Sequence, residues 1–92
     1  MVKYYVYIVG SSNGNSIYIG VTADLIRRVG EHKSGIGSSF TCRYRCTKLL
    51  YFEEYQNVKD AISREKQLKG WTRKKKEALI ATLNPERQDL ME

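Results

Sequence analysis

The sequence has one proline, one histidine and two cysteines in 92 residues. With hydrophobic residues at 41% and so few chain breakers, it does not read as a disordered or low-complexity chain. Cys42 and Cys46 together with a single histidine are too few for the four ligands of a structural zinc site, so both are read as reduced thiols. No apolar run approaches the roughly 18 residues that span a bilayer, and nothing after "MVKYY" resembles a signal-peptide core. The expectation is a cytoplasmic protein that meets no membrane. A chain of this length supports one modest core, so it is read as one domain over residues 1–92, with its core at about 3–85.

What is present in excess is positive charge, unevenly placed. The formal net charge is +6, and the segment from Arg64 to Lys76, with seven basic residues and one acid, accounts for all of it. Arg64, Lys66, Lys69, Arg73, Lys74, Lys75 and Lys76 form either a solvated helical surface or the footprint of a polyanion such as nucleic acid. Four of them, Arg73 to Lys76, fall in the first turn of an expected helix over Arg73 to Leu83, capped by Thr72 and ended by Asn84-Pro85. The helix dipole disfavours cations there by a few tenths of a kcal/mol each. A phosphate backbone offsets that cost through counterion release.

Tyrosine is also abundant. Residues Lys3 to Val9 and Ser16 to Val21 alternate as strands do, and Asn13-Gly14 between them marks a type I′ hairpin turn. That register sets Tyr7 opposite Gly20 and Val9 opposite Tyr18. Tyr5, Tyr7, Val9, Tyr18 and Gly20 then share one face, and Val6, Ile8, Ile17, Ile19 and Val21 the other. The aliphatic face is assigned to the core. The phenol face either covers the sheet with aromatic pairs or, with Gly20 leaving space beside Tyr7, receives a substrate.

"VTADLIRRVGEHKSG" predicts a helix with Thr22 or Asp24 as its cap, acid in its first turn and a stop at Ser34-Gly35. It aims Leu25 and Val29 at the sheet, and Arg28 and His32 together from successive turns. "SGIGSSFTCRYRC" reads as an exposed, mobile connection, and "TKLLYFEEY" as a third strand. "NVKDAISREKQLKG" is a further helix, with Gly70 expected just past its end. Its apolar stripe of Val58, Ala61, Ile62 and Leu68 is interrupted by Glu65. A carboxylate on a buried face costs several kcal/mol unless paired or metal-bound. Glu65 therefore either pairs with Arg28 or emerges at the stripe's edge, or it is a functional residue.

Two phenols on one strand face, a guanidinium and an imidazole on the next helix, and a carboxylate further on match the needs of phosphodiester hydrolysis. That reaction requires a base for water, cationic charge for the transition state, and commonly a divalent metal on hard oxygen ligands. With Tyr5-Val6-Tyr7, Tyr18-Ile19-Gly20, Arg28, His32 and Glu65 in this order and spacing, the chain resembles the GIY-YIG nuclease superfamily. Within it, the chain is similar to small single-domain bacterial members related to the N-terminal catalytic domain of the excision-repair nuclease UvrC. The resemblance implies an α+β fold: a three-stranded antiparallel sheet with about three flanking helices in the order β-β-α-β-α-α. It also implies a metal-dependent endonuclease acting on DNA in repair or recombination, the alternative being a catalytically weak binding module or an accessory subunit of a larger repair complex.

By the same resemblance Tyr7 is the general base or its helper, Tyr18 positions water and phosphate, Arg28 stabilises the transition state and His32 relays a proton or orients Tyr7. Glu65 holds one Mg²⁺ or Mn²⁺. The expected partner is DNA, with target choice resting on the basic segment or on a protein partner. Tyr5 stands where the family has its leading glycine, and Asn84 is the nearest counterpart of a late family asparagine.

Overall fold

A computed structural model describes residues 2–91. The elements are β1 (Tyr4–Ser11), β2 (Ile17–Thr22), α1 (Leu25–Lys33), α2 (Ser39–Tyr44), β3 (Cys46–Tyr55), α3 (Val58–Lys69) and α4 (Arg73–Leu83). The sheet is antiparallel in the order β2-β1-β3. It bears out the expected α+β architecture and adds one helix to it. None of the helices among the described residues is long and apolar enough to cross a membrane.

The hairpin register follows the alternation, with Tyr7 opposite Gly20 and Val9 opposite Tyr18. Its turn differs from the expected type I′. Gly14 is left-handed (φ 77°) but Asn13 is not. The Asn13 side chain instead accepts from the Asn15 N–H (3.0 Å) and the Ser11 hydroxyl (2.7 Å), and Gly14 N–H closes the turn on Ser11 C=O at 3.1 Å. These local bonds satisfy the loop without a second positive φ.

Both sheet faces are buried, which corrects the assignment of the core to the aliphatic face alone. Val6, Ile8, Ile19, Leu50 and Tyr51 pack with Ala61, Leu68 and Ile80 of α3 and α4. Burying Leu68 or Ile80 contributes about 1.5–3 kcal/mol each. On the phenol face Tyr7, Val9 and Leu49 pack with Val29 of α1, Cys46 and the half-buried Tyr18, Leu25 and Met91. An irregularity in the β1–β3 register between Ile8 and Val9 lets adjacent Leu50 and Tyr51 join the same cluster while Leu49 serves the other.

The remaining differences have local causes. Asp24 caps α1, its carboxylate accepting from Arg27 N–H at 3.1 Å, so the acid is the cap and the first turn holds none. The serine- and glycine-rich connection is not a loop throughout. Ser38 and Thr41 cap each other and start α2, which buries Thr41 completely. Gly70 ends α3 as a right-handed C-cap (φ −81°) whose N–H bonds Gln67 C=O and Lys66 C=O, so no left-handed residue is needed. In the α3 stripe Ala61 and Leu68 are fully buried, whereas Val58 and Ile62 are exposed. Thr72 caps α4 and Asn84 ends it, as expected.

Candidate active site

The capped start of α1 sets the phase of its helix, and Leu25 and Val29 seat it on the phenol face of the sheet. Arg28 and His32 follow on adjacent turns. His32 is 1% exposed and Tyr7 likewise, and the two meet with Tyr7 Oη 2.9 Å from His32 Nε2. The Tyr18 ring lies 5.8 Å from the His32 ring on another side. The imidazole is thus enclosed by both phenols, and its Nδ1 lies 2.8 Å from Thr41 Oγ1.

Burial pushes the Tyr7 phenol above its ordinary pKa of 10.0, against a downward pull from the nearby Arg28 guanidinium, while the charges of Tyr18 and Glu65 add to the rise. Burial also lowers His32 below its ordinary 6.5, and Arg28 lowers it further. At neutral pH the resting pair is a neutral phenol against a neutral imidazole. Arg28 is anchored by Glu31, its Nη1 donating to Oε1 at 2.9 Å, and this pairing holds the Glu31 carboxyl below its usual range.

Glu65 comes from α3, which packs on the opposite sheet face beside β2, yet its charge reaches Tyr7. Its side chain is 16% exposed, and it pairs with Lys69 at 3.4 Å rather than with Arg28. Lys69 Nζ also sits 5.7 Å above the Tyr18 ring, so the end of α3 borders the phenol face along the β2 edge. Tyr7, Tyr18, Arg28, His32 and Glu65 are therefore brought into one neighbourhood.

Gly20 behaves otherwise than expected. It leaves no free space beside Tyr7, because a Cβ built on it would lie 2.6 Å from Tyr7 Cζ and closer still to Oη. The phenol itself fills the notch. Asn84 is away from this group, 5% exposed and bound to the backbone: its amide donates to Leu50 C=O (3.1 Å) and Gln88 C=O (2.6 Å) and accepts from Gln88 N–H (3.0 Å). It fastens the C-terminal segment to β3.

The basic segment divides. Arg64 lies against β3, donating to both Glu53 carboxylate oxygens from 2.9 Å, and stacks on Trp71. Arg73 bridges Glu77 and the carbonyls of Gly14 and Asn15, tying α4 to the hairpin loop. Lys75 stands over Trp71 at 4.6 Å. Lys66 and Lys74 are exposed and make no ion pair among the described residues.

Sequence reasoning missed Glu31 and Thr41. The first was legible as an acid three residues from Arg28. The second required recognising the Ser38-x-x-Thr41 spacing as a helix start.

The profile of the GIY-YIG catalytic domain matches residues 3–78. A UPF0213 protein of Haloquadratum walsbyi is 42% identical over 83% of this chain and 84% of its own length. A UPF0213 protein of Bacillus pumilus is 35% identical over 94% of this chain and 87% of its own. Among solved structures, the solution NMR structure of a UPF0213 protein from Bacillus halodurans is similar at a TM-score of 0.60 and 31% identity, covering 91% of this chain and 88% of that one.

Proposed function

The chain belongs to the GIY-YIG family, and on that premise we propose that it is a divalent-metal-dependent endonuclease that hydrolyses DNA phosphodiester bonds in repair or recombination. The observation that carries this reading is the 2.9 Å approach of Tyr7 Oη to His32 Nε2, in a cluster that also holds Tyr18, Arg28 and Glu65.

Arg28, its guanidinium already turned toward the phenol, supplies positive charge where negative charge develops on the phosphoryl oxygens. Tyr18, half-buried beside it, orients the phosphate. Tyr7 is the proton acceptor at the floor of the site. It takes a proton from the attacking water as its own phenolic proton passes to His32 Nε2, leaving a neutral phenol and an imidazolium.

The residues present fit a one-carboxylate metal site. Among the described residues no group of three or more His, Cys, Asp or Glu could hold an ion. Magnesium needs no such cage, since it usually keeps several waters and takes one or two carboxylates plus substrate phosphate oxygens. Glu65 would hold it, in competition with Lys69. The ion would supply Lewis-acid stabilisation of the phosphoryl charge.

The test is cleavage of labelled duplex, flap, junction and single-stranded DNA with Mg²⁺ or Mn²⁺. Wild type is expected to cut at least one of these, and Glu65→Gln to need a higher ion concentration for half its maximal rate. An unchanged ion dependence removes Glu65 as the metal ligand. Binding without cleavage on every substrate and with both ions favours the binding-module reading.

DNA contact is assigned to Lys66 and Lys74, the exposed lysines of the segment with neither an ion pair nor an aromatic partner among the described residues, whereas Lys76 is half-buried. The double substitution Lys66→Gln/Lys74→Gln is expected to flatten the plot of log binding constant against log salt by about two. Arg64→Gln is expected to leave that slope unchanged and to lower stability instead, because it takes the guanidinium away from the part-buried Glu53 carboxylate and leaves only the Tyr51 and Tyr55 hydroxyls donating to it. Salt titrations by fluorescence anisotropy and urea melts separate the two, and the reverse pattern removes Lys66 and Lys74 from the interface.

A further inference from the structure

His32 Nδ1 is sealed from solvent, and its hydrogen-bond partner is Thr41 Oγ1 at 2.8 Å. The Thr41 hydroxyl has one proton and two lone pairs. Around it stand the Ser38 N–H, which only donates (3.1 Å), the Ser38 carbonyl, which only accepts (3.1 Å), the Ser38 hydroxyl (3.1 Å) and His32 Nδ1. If the proton goes to the Ser38 carbonyl, one lone pair receives the Ser38 N–H, and the other receives the imidazole N–H once the proton of the half-buried Ser38 hydroxyl turns to solvent.

The opposite assignment fails at Tyr7. Were Thr41 to donate to Nδ1, the other ring nitrogen would carry the proton and point it at Tyr7 Oη. The Tyr7 proton, buried at 1% exposure, would then have no acceptor, since His32 Nε2 is the one side-chain partner of Tyr7 Oη among the described residues. With Nδ1 protonated, the phenol donates to Nε2, Oη remains open to the guanidinium, and every buried group is satisfied.

We infer that Thr41 is a positioning residue: it accepts the Nδ1–H of His32 and so fixes the tautomer whose Nε2 lone pair faces the Tyr7 hydroxyl. Further features of the fold serve this contact. Ser38 and Thr41 form the reciprocal cap that starts α2. A Cβ on Gly37 would lie 2.8 Å from His32 Cε1 and 3.0 Å from Thr41 Oγ1, so only glycine lets the chain pass between them unstrained. A short helix in a serine-rich connection thereby delivers one hydroxyl to the back of the imidazole. A histidine's other ring nitrogen is commonly fixed in this way when the first has a task.

The kinetic consequence rests on the nuclease reading; the tautomer does not. His32 is the chain's only histidine, so long-range ¹H–¹⁵N correlation spectra of uniformly labelled protein report it without ambiguity. Wild type is expected to show the Nδ1–H tautomer. Thr41→Val should lose it and lower kcat roughly tenfold with KM little changed, and Thr41→Ser should restore both. A wild-type Nε2–H tautomer, or Thr41→Val retaining Nδ1–H, overturns the inference. Should wild type cleave no DNA, the nuclease reading fails while the spectrum still decides the role of Thr41. If Thr41→Val does not fold, Thr41→Ala, which also removes the hydroxyl, is read in the same way.

Discussion

Tyr7→Phe is expected to lower kcat on DNA by roughly 10²- to 10⁴-fold, the usual worth of a positioned proton acceptor, with KM little changed. The substitution removes one oxygen and leaves the ring in its notch against Gly20. Circular dichroism should show an intact fold, destabilised by about 1–3 kcal/mol because His32 Nε2 loses its partner. The size of the kinetic effect follows from the resting state. Transfer of a proton from a phenol of ordinary pKa 10.0 to an imidazole of 6.5 is uphill by about 5 kcal/mol, and burial of each group adds to that. The pair is inert until the attacking water delivers a proton to Oη as the phenolic proton leaves, so that no free phenolate has to form.

The pH profile carries the sign of this arrangement. His32 must be unprotonated to accept, and its pKa is held below 6.5. Cleavage should therefore rise with pH through an apparent pKa below 6.5 and level off near neutrality. Stability follows the same direction. Below 6.5 the unfolded chain binds a proton that the folded chain resists, so this contribution is complete above 6.5 and is lost as pH falls toward the folded pKa. Wild-type cleavage rates surviving in Tyr7→Phe, or a profile that falls as pH rises from 5 to 7, would remove Tyr7 and His32 from the chemistry.

The hairpin could be read from the sequence because a period of two is a local property, and a turn signal between two alternating runs leaves one register that segregates the faces. That register put Tyr7 against Gly20, but sequence could not say whether the glycine made room for a ligand or for the phenol. The distinction depends on α1, which closes the face from above. The Glu65 anomaly was legible because a carboxylate in an apolar stripe violates a helical period. Its partner was not: Arg28 was the cation expected, and only the phase of α3 shows Lys69, one turn further on the same helix, in that place.

The partners of the basic segment were hidden for a related reason. Arg64 and Lys69 are five residues apart, which turns them by about 140° around a helix and sends one to β3 and the other to the β2 edge. Their acidic neighbours differ accordingly, Glu53 coming from a strand and Glu65 from the same helix. Composition counted one charge cluster where the fold has engaged Arg64, Lys69, Arg73 and Lys75 and left Lys66 and Lys74 exposed without an ion pair among the described residues. Thr41 escaped notice because glycine and serine around it suggest a loop, while the capping bonds that start the helix are made by one of those serines, Ser38, with Thr41 itself.

Gly20→Ala should be more damaging than a single methyl suggests. The added Cβ would lie 2.6 Å from Tyr7 Cζ, a separation that real side chains do not tolerate. Neither side can give way cheaply: β2 is held in register by β1, and the Tyr7 ring is flanked by His32 and buried among Val9, Val29 and Leu49. Overpacking of this kind costs about 1–3 kcal/mol. Because the displaced atoms include Oη, kcat should fall to the level of Tyr7→Phe. A cycle isolates the cause. In a Tyr7→Ala background the ring is gone and the notch is empty, so adding Gly20→Ala should cost less than about 0.5 kcal/mol, leaving a coupling of about 1 kcal/mol or more between the two positions. Tyr7→Phe should not relieve the clash, since Cζ remains. Additive urea-denaturation energies in the Tyr7→Ala cycle would show that alanine at position 20 acts through the strand backbone, and the notch would then not be what fixes the phenol.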